Sequence, residues 1–231
     1  MSNGAGPIFL FPFAGASRGG YAPLLPPAGS PERQRFRPIG LPGRGERMRE
    51  PSPRDLEALA ADAFRQIAPD LTPDAVFFGH SMGALLALLV ARSARNSDLA
   101  LPRALIVSGM SGPSRPSGRK RHLLPRDELR RELRRLGGSP DEILDDEELF
   151  AFFEPTVRGD LTAVETHSYR PEPPLPVPLT VILGTEDEVT AEGGDAWQIE
   201  TTHPLRRADF PGGHFFIFDQ ADALRQLISA A

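Results

Sequence analysis

The chain has 231 residues, 40% hydrophobic and 25% charged, with a net charge of -5 at pH 7, which suits one α/β domain and does not favour a nucleic-acid partner. It contains no cysteine, which excludes disulfides, a cysteine nucleophile and thiolate metal sites. The sequence has no apolar run of ~18 residues and no signal-peptide pattern at its N-terminus, so we expect a cytoplasmic protein without a membrane span, monomeric by default.

Short apolar runs alternate with helical patterns along the chain. The predicted strands are Ile8–Phe11, Phe36–Ile39, Ala75–Phe78, Ala104–Val107, Leu179–Leu183 and Leu205–Phe210. Their near-continuous apolar character is typical of strands covered on both faces of a parallel sheet. Amphipathic or buried helices are predicted at 55–68, 82–95 and 219–229. The alternation predicts one α/β domain over residues 1–231, with a doubly wound, mostly parallel sheet.

Residues 111–178 break this alternation, because they contain helical patterns and no good strand. We interpret the segment as a helical lid inserted between two core strands, since insertions near the carboxyl edge of a sheet often shape ligand crevices. Leu149, Phe152 and Phe153 are candidates to line an acyl pocket, although packing within the lid is the simpler role for most of them. The proline-rich stretch 171–178 is interpreted as a stiff connector back to the core.

The stretch Gly79-His80-Ser81-Met82-Gly83 matches the G-x-S-x-G motif of serine hydrolases. It follows a predicted strand and precedes a predicted buried helix, which is the strand–turn–helix context that the motif requires. Glycines flank the serine because side chains there would collide with the neighbouring strand and helix. The pattern indicates an α/β-hydrolase with Ser81 as nucleophile.

In this fold the acid and then the histidine follow the nucleophile along the chain. Of five histidines, His214 directly follows a late strand, and two preceding glycines allow its loop to approach Ser81, so we assign it as general base. His80 is interpreted as packing inside the turn and His122 as a solvated lid residue. His167 ends the insertion, and His203 precedes a proline in a loop. Asp187, after the strand Leu179–Leu183, is the predicted acid that orients the imidazole. Glu186, Glu188 and the more distant Asp160 remain alternatives.

The oxyanion of a tetrahedral intermediate needs two backbone N–H donors. One is expected from Met82, the residue after the nucleophile. The other is expected from the loop after the first strand, where Ala14 is our candidate.

Four ordered motifs make the chain resemble the type II thioesterases that accompany polyketide synthases and nonribosomal peptide synthetases. They are Phe11-Pro12-Phe13-Ala14-Gly15, Leu41-Pro42-Gly43-Arg44, Phe78 through Gly83, and Pro211 through Phe216, with further matches at 136–140 and 153–160. Members of this family often carry His in place of Phe13 and Gly in place of Ala16. Neither change removes a backbone N–H, so the expected oxyanion donors are retained.

The resemblance implies hydrolysis of acyl groups from the phosphopantetheine thiol of acyl or peptidyl carrier proteins, with no metal and no organic cofactor of its own. The usual role is editing of stalled acyl units, and release of a finished product is an alternative. A basic run beside the lid, Arg115, Arg119, Lys120, Arg121 and Arg126, is a candidate docking surface for an acidic carrier. Competing functions are a carboxylesterase or lipase acting on oxygen esters, and a binding protein without turnover.

Overall fold

The computed structural model describes residues 6–231, so residues 1–5 of the predicted domain lie outside it. Six strands form one sheet in the order β2-β1-β3-β4-β5-β6, and each neighbouring pair is parallel. The strands are β1 (Ile8–Phe11), β2 (Phe36–Pro38), β3 (Val76–His80), β4 (Ala104–Ser108), β5 (Leu179–Gly184) and β6 (Arg206–Phe210). Each overlaps its predicted run, and the doubly wound α/β fold is confirmed.

Helices cover both faces of the sheet. Helices α1 (Leu56–Ile67) and α2 (Met82–Asn96) pack on one face, together with the buried Trp197. The carboxylate of Asp55 begins α1 by accepting a hydrogen bond from the N–H of Ala58 at 2.8 Å. Two C-terminal helices pack on the other face. This two-sided cover explains why the central strands are apolar at nearly every position.

The remaining helices follow β4 in the chain. They are α3 (Arg126–Leu136), α4 (Asp141–Asp145), α5 (Glu147–Thr166) and α6 (Ala191–Asp195), and then the two C-terminal helices α7 (Phe216–Asp219) and α8 (Ala221–Ala230). Residues 111–178, all within the described part of the chain, add no strand to the sheet. Helices α3 to α5 share a small apolar cluster of their own, made by Leu129, Leu133, Leu144, Phe150 and Val157.

Helix α5 continues through Pro155 for twenty residues. Pro155 lies on the exposed side, where the carbonyl of Ala151, left without an amide partner, can bond to water. Among residues 6–231 we find no helix with the length and apolar character needed to cross a membrane.

Candidate active site

Ser81 occupies a sharp turn between β3 and α2. Its backbone has φ +53° and ψ -121°, a conformation that non-glycine residues rarely adopt. A Cβ on Gly79 would overlap the carbonyl of Gly83, and a Cβ on Gly83 would overlap the carbonyl of Phe11. The two glycines of the motif are therefore required by close backbone contacts, which hold the serine side chain above the sheet edge.

A hydrogen-bond chain links Ser81 to a buried carboxylate. The Nε2 atom of His214 lies 3.2 Å from Ser81 Oγ, and its Nδ1 atom lies 3.0 Å from Asp187 Oδ2. The side chain of Asp187 is 1% exposed and that of His214 is 14% exposed. The loops after β3, β5 and β6 supply these residues, because the carboxyl ends of parallel strands meet at one edge. This is the geometry of a nucleophile, its general base and the group that orients the base.

The other candidate acids lie elsewhere. Glu186 is exposed, and the structure gives it no hydrogen bond to His214 among the described residues. Glu188 is bound instead by three arginines, Arg119, Arg121 and Arg135. Asp160 is fully buried and paired with Arg44. Of the four carboxylates considered, the structure brings Asp187 to the imidazole.

Of the five histidines, all in the described part, His214 is the one that bonds Ser81. His80 is completely buried, with Nδ1 3.0 Å from Ser108 Oγ, in agreement with a packing role. His122 is not a solvated lid residue as expected, because its Nδ1 lies 2.5 Å from Glu165 and its side chain is 15% exposed.

The two expected oxyanion donors lie at the cavity that Ser81 lines. Ala14 and Met82 line the same cavity as Ser81. Met82 begins α2, so its N–H has no partner within the helix. Ala14 lies in a turn that is closed by a 3.0 Å hydrogen bond from Ala16 N–H to Phe13 O, and its own N–H donates to no atom among residues 6–231. Both amides are free to bind a ligand oxygen beside Ser81.

The cavity beside Ser81 has a volume of about 250 Å³. Its apolar side is lined by Leu85, Met110, Leu161 and Val164, and its polar side by the loop 111–121, Glu165, His167 and Glu188. Across residues 6–231, no three His, Asp or Glu side chains are grouped as metal ligands. The site thus combines a hydrogen-bonded serine with an apolar pocket and a charged entrance loop.

The predicted acyl-pocket candidates on α5 do not line this cavity. Leu149 and Phe152 are exposed at 48% and 68%, and Phe153 packs against the turn at Gly15. The helix reaches the cavity two turns later, at Leu161 and Val164, because it continues past Pro155 to Thr166.

The basic run beside the lid is largely neutralised. Its ion pairs are Arg119–Glu188, Arg121–Glu132, Arg121–Glu188, Arg126–Glu147 and Arg126–Glu154. Arg115 and Lys120 are exposed and form no ion pair within the part of the chain that the structure describes. Only these two cations of the run are free to meet an acidic partner.

Comparisons with known proteins identify the family of this chain. The family model of the thioesterase domain matches residues 6–231. A curated relative from Streptomyces griseus, described as a probable cadicidin biosynthesis thioesterase, is 37% identical over 97% of this chain. The match covers 62% of that relative, so the chain spans less than two thirds of its length.

Solved structures give the same result. RedJ, a thioesterase from the prodiginine biosynthetic pathway in Streptomyces coelicolor, is 32% identical with a TM-score of 0.89, covering 99% of this chain and 91% of RedJ. The type II thioesterase BorB from the borrelidin biosynthetic cluster is 34% identical with a TM-score of 0.87, covering 99% and 93%. The resemblance to type II thioesterases is thereby confirmed, as is the α/β-hydrolase type of the fold. The chain belongs to the thioesterase domain family.

Proposed function

We propose that this protein hydrolyses thioesters through Ser81, and that its substrates are acyl groups on the phosphopantetheine arm of a carrier protein. The observation that carries the proposal is the hydrogen-bond chain from Ser81 through His214 to Asp187, at the wall of a cavity with an apolar side. Relatives that are named as biosynthesis thioesterases support the choice of a thioester over other esters.

The first half-reaction forms an acyl-enzyme. Ser81 Oγ attacks the thioester carbonyl as His214 Nε2 takes its proton, and the amides of Ala14 and Met82 stabilise the oxyanion. Collapse of the tetrahedral intermediate breaks the C–S bond, and the proton on His214 Nε2 passes to the departing sulfur. The carrier thiol leaves and the imidazole is neutral again. Because a thiol has a pKa of about 8.5, it leaves more readily than an alcohol and needs less help from an acid.

The second half-reaction returns the enzyme to its starting state. His214 Nε2 takes a proton from water, whose oxygen attacks the acyl carbon of the ester on Ser81. Collapse of the second tetrahedral intermediate breaks the bond between the acyl carbon and Ser81 Oγ, and His214 returns its proton to that oxygen. The products are a carboxylic acid and free Ser81, and Asp187 holds the imidazole in place through both steps. No residue outside this set and no added cofactor is needed for either step, since pantetheine belongs to the substrate.

The proposal is tested with matched acyl thioesters and oxygen esters, offered both on a carrier protein and on N-acetylcysteamine or its alcohol analogue. We expect a strong preference for the thioester and loss of turnover in Ser81→Ala. A preference for the oxygen ester would identify a carboxylesterase instead. A wild-type protein that is not labelled by a serine-directed phosphonate would be a binding protein without turnover.

Docking of the carrier protein is the second part of the proposal. Carrier proteins are commonly acidic, and Arg115 is both free of ion pairs within the described chain and placed at the cavity. The exposed Lys120 lies close in sequence. Partnership with carrier-dependent synthases also agrees with the expected cytoplasmic location.

Reversal of both charges, Arg115→Glu with Lys120→Glu, should raise KM for an acyl-carrier substrate and leave KM for a small acyl thioester unchanged. The matched control reverses two exposed arginines elsewhere that have no ion pair among residues 6–231, Arg49→Glu with Arg206→Glu. Equal changes in the two double variants would mean that net charge, rather than this surface, governs carrier binding.

A further inference from the structure

The carboxylate of Asp160 is the meeting point of three distant segments. It is fully buried in the lid helix α5, where it accepts a 2.7 Å hydrogen bond from the N–H of Gly15. Both terminal nitrogens of Arg44 also donate to it, one of them at 2.8 Å. Arg44 itself is 7% exposed. The lid, the loop after β2 and the turn after β1 are thus joined at one ion pair.

Gly15 follows the expected oxyanion donor Ala14. Its φ of +80° is the value that a type II turn demands at its third residue, which glycine adopts without strain. The peptide before Ala14 is held through its carbonyl, since Phe13 O accepts from Ala16 N–H. The peptide after Ala14 is held through its amide, since Gly15 N–H donates to Asp160. Both peptides that flank Ala14 are therefore anchored, while the N–H of Ala14 itself is left for a ligand.

The same face of α5 packs directly on this turn. A Cβ built on Gly15 would lie 2.8 Å from Phe153 Cζ and 3.3 Å from Val157 Cβ. Phe153, Val157 and Asp160 are spaced by four and three residues, so they share one side of the helix. The turn cannot shift towards the lid, and the Asp160 hydrogen bond keeps it from shifting away.

A buried ion pair of this kind is a weak source of net stability, because desolvation of both charges offsets their attraction. An apolar side chain of similar volume would fill the same space but would leave the N–H of Gly15 without an acceptor. What the carboxylate adds over an apolar residue is therefore a fixed position for the turn.

We propose that Asp160, held by Arg44, is a positioning residue that fixes the oxyanion donor Ala14, and that catalysis therefore depends on how the lid helix α5 packs against the turn. The inference rests on the proposed function, because it assumes that Ala14 stabilises an oxyanion formed at Ser81. Asp160 touches neither the substrate nor the triad in this scheme. Its effect passes through the turn.

The test compares Asp160→Asn with a matched control, Asp62→Asn. The Asp160→Asn variant keeps the size of the side chain, but the NH₂ group of the new amide takes the place of one carboxylate oxygen. It then faces either one donor of Arg44 at the Oδ1 position or the donors of both Arg44 and Gly15 at the Oδ2 position, so at least one of the three bonds is lost. Asp62 on α1 is also nearly buried and bound by both terminal nitrogens of an arginine, Arg47, away from the cavity. Both variants lose the charge of a buried, arginine-bound aspartate, and only one of these aspartates touches the turn.

Two inhibitors with the same acyl chain distinguish an effect of the variant on oxyanion stabilisation from an effect on substrate binding. A trifluoromethyl ketone forms a bond from Ser81 Oγ to its carbonyl carbon while the serine proton passes to His214. The C=O double bond opens to an oxyanion placed at the amides, whereas a pantetheine thioether without the carbonyl oxygen forms no such adduct. For Asp160→Asn we expect kcat on an acyl thioester to fall about 10²-fold, the loss typical of one oxyanion donor. Affinity for the ketone should fall in parallel, with affinity for the thioether and the pH midpoint of kcat/KM unchanged. For Asp62→Asn we expect a lower unfolding midpoint with wild-type kcat.

Unchanged kcat and ketone affinity in folded Asp160→Asn would overturn the inference, as would equal losses for the ketone and the thioether. If Asp160→Asn does not fold, Phe153→Ala loosens the same turn without touching the ion pair, and it should lower kcat and ketone affinity together by several fold. Wild-type values in that variant would count against the inference. Failure of the proposed function is distinguishable, because wild-type protein would then neither cleave the thioester nor bind the ketone more tightly than the thioether.

Discussion

The imidazole of His80 packs against that of His214, with ring centroids 4.9 Å apart. Burial, and then the positive charge that His214 can carry, hold the pKa of His80 well below its ordinary value. His80 is therefore a neutral ring behind His214. In the proposed mechanism, where His214 takes the proton of Ser81, the neighbouring His80 adds no positive charge that would oppose the transfer.

This burial predicts a pH dependence of stability. A histidine in the unfolded chain titrates near pH 6.5, while folded His80 stays neutral below that pH, so the unfolded state takes up a proton that the folded state does not. The contribution of His80 to the free energy of unfolding is therefore fully present above pH 6.5. It falls as the pH decreases below that value, by up to about 1.4 kcal/mol per pH unit. His80→Gln should lose this slope in urea unfolding between pH 7.5 and 5.5. Equal slopes in the two proteins would show that the proton is taken up elsewhere.

Asp187→Asn should lower kcat by a factor on the order of 10⁴, because an amide in place of the carboxylate favours the wrong tautomer of His214. The measurement is kcat on an acyl thioester, with the unfolding midpoint recorded alongside. Glu186→Gln is the control, since Glu186 is the exposed neighbour of Asp187 in the same loop. Wild-type kcat in Asp187→Asn would remove this residue from the proposed triad.

Gly79→Ala should abolish folding or lower the free energy of unfolding by more than about 3 kcal/mol, because its Cβ would overlap backbone atoms that cannot move aside. Gly213→Ala is the matched control, since a Cβ at Gly213 meets no atom within 4 Å. Urea unfolding of both variants measures the difference. Similar stabilities would mean that the turn around Ser81 is more adaptable than its close contacts indicate.

Val164→Phe should narrow the apolar side of the cavity and shorten the acyl chains that the enzyme accepts. We expect kcat/KM for long acyl thioesters to fall about tenfold or more, with short chains retained. Phe152→Ala, on the exposed side of the same helix, should leave the chain-length profile unchanged. If Phe152→Ala changed the chain-length profile and Val164→Phe did not, the acyl pocket would instead lie at the residues first expected from the sequence.

The sequence predicted those parts of the protein that are formed by consecutive residues. The strands and the helices that flank the sheet were predictable because apolar runs and helical periodicity act over a few residues. The turn at Ser81 was predictable for the same reason, since strand, glycines and helix follow one another directly in the chain. Asp187 and His214 were found through their order after particular strands, because a parallel sheet brings the loops at its carboxyl ends together.

The lid required the tertiary structure. Helical periodicity places Phe153, Val157 and Asp160 on one face of α5, but it does not say that this face meets Gly15, more than a hundred residues away in sequence. It also does not say which charges of a basic run find acidic partners. Arg119 and Arg121 were candidates to meet an acidic carrier, and in the structure both are paired with Glu188.

Asp160 shows the difference most clearly. Its sequence position made it a distant alternative for the catalytic acid, and in the structure its carboxylate binds Arg44 and the amide of Gly15 instead. The nucleophile turn was predictable from sequence, since its strand, glycines and helix are consecutive in the chain, although Gly83 also lies against Phe11 on the neighbouring strand. The position of the turn at Ala14 and Gly15 was decided by tertiary structure. Buried charges and unpaired amides find hydrogen-bond partners only when distant segments pack together.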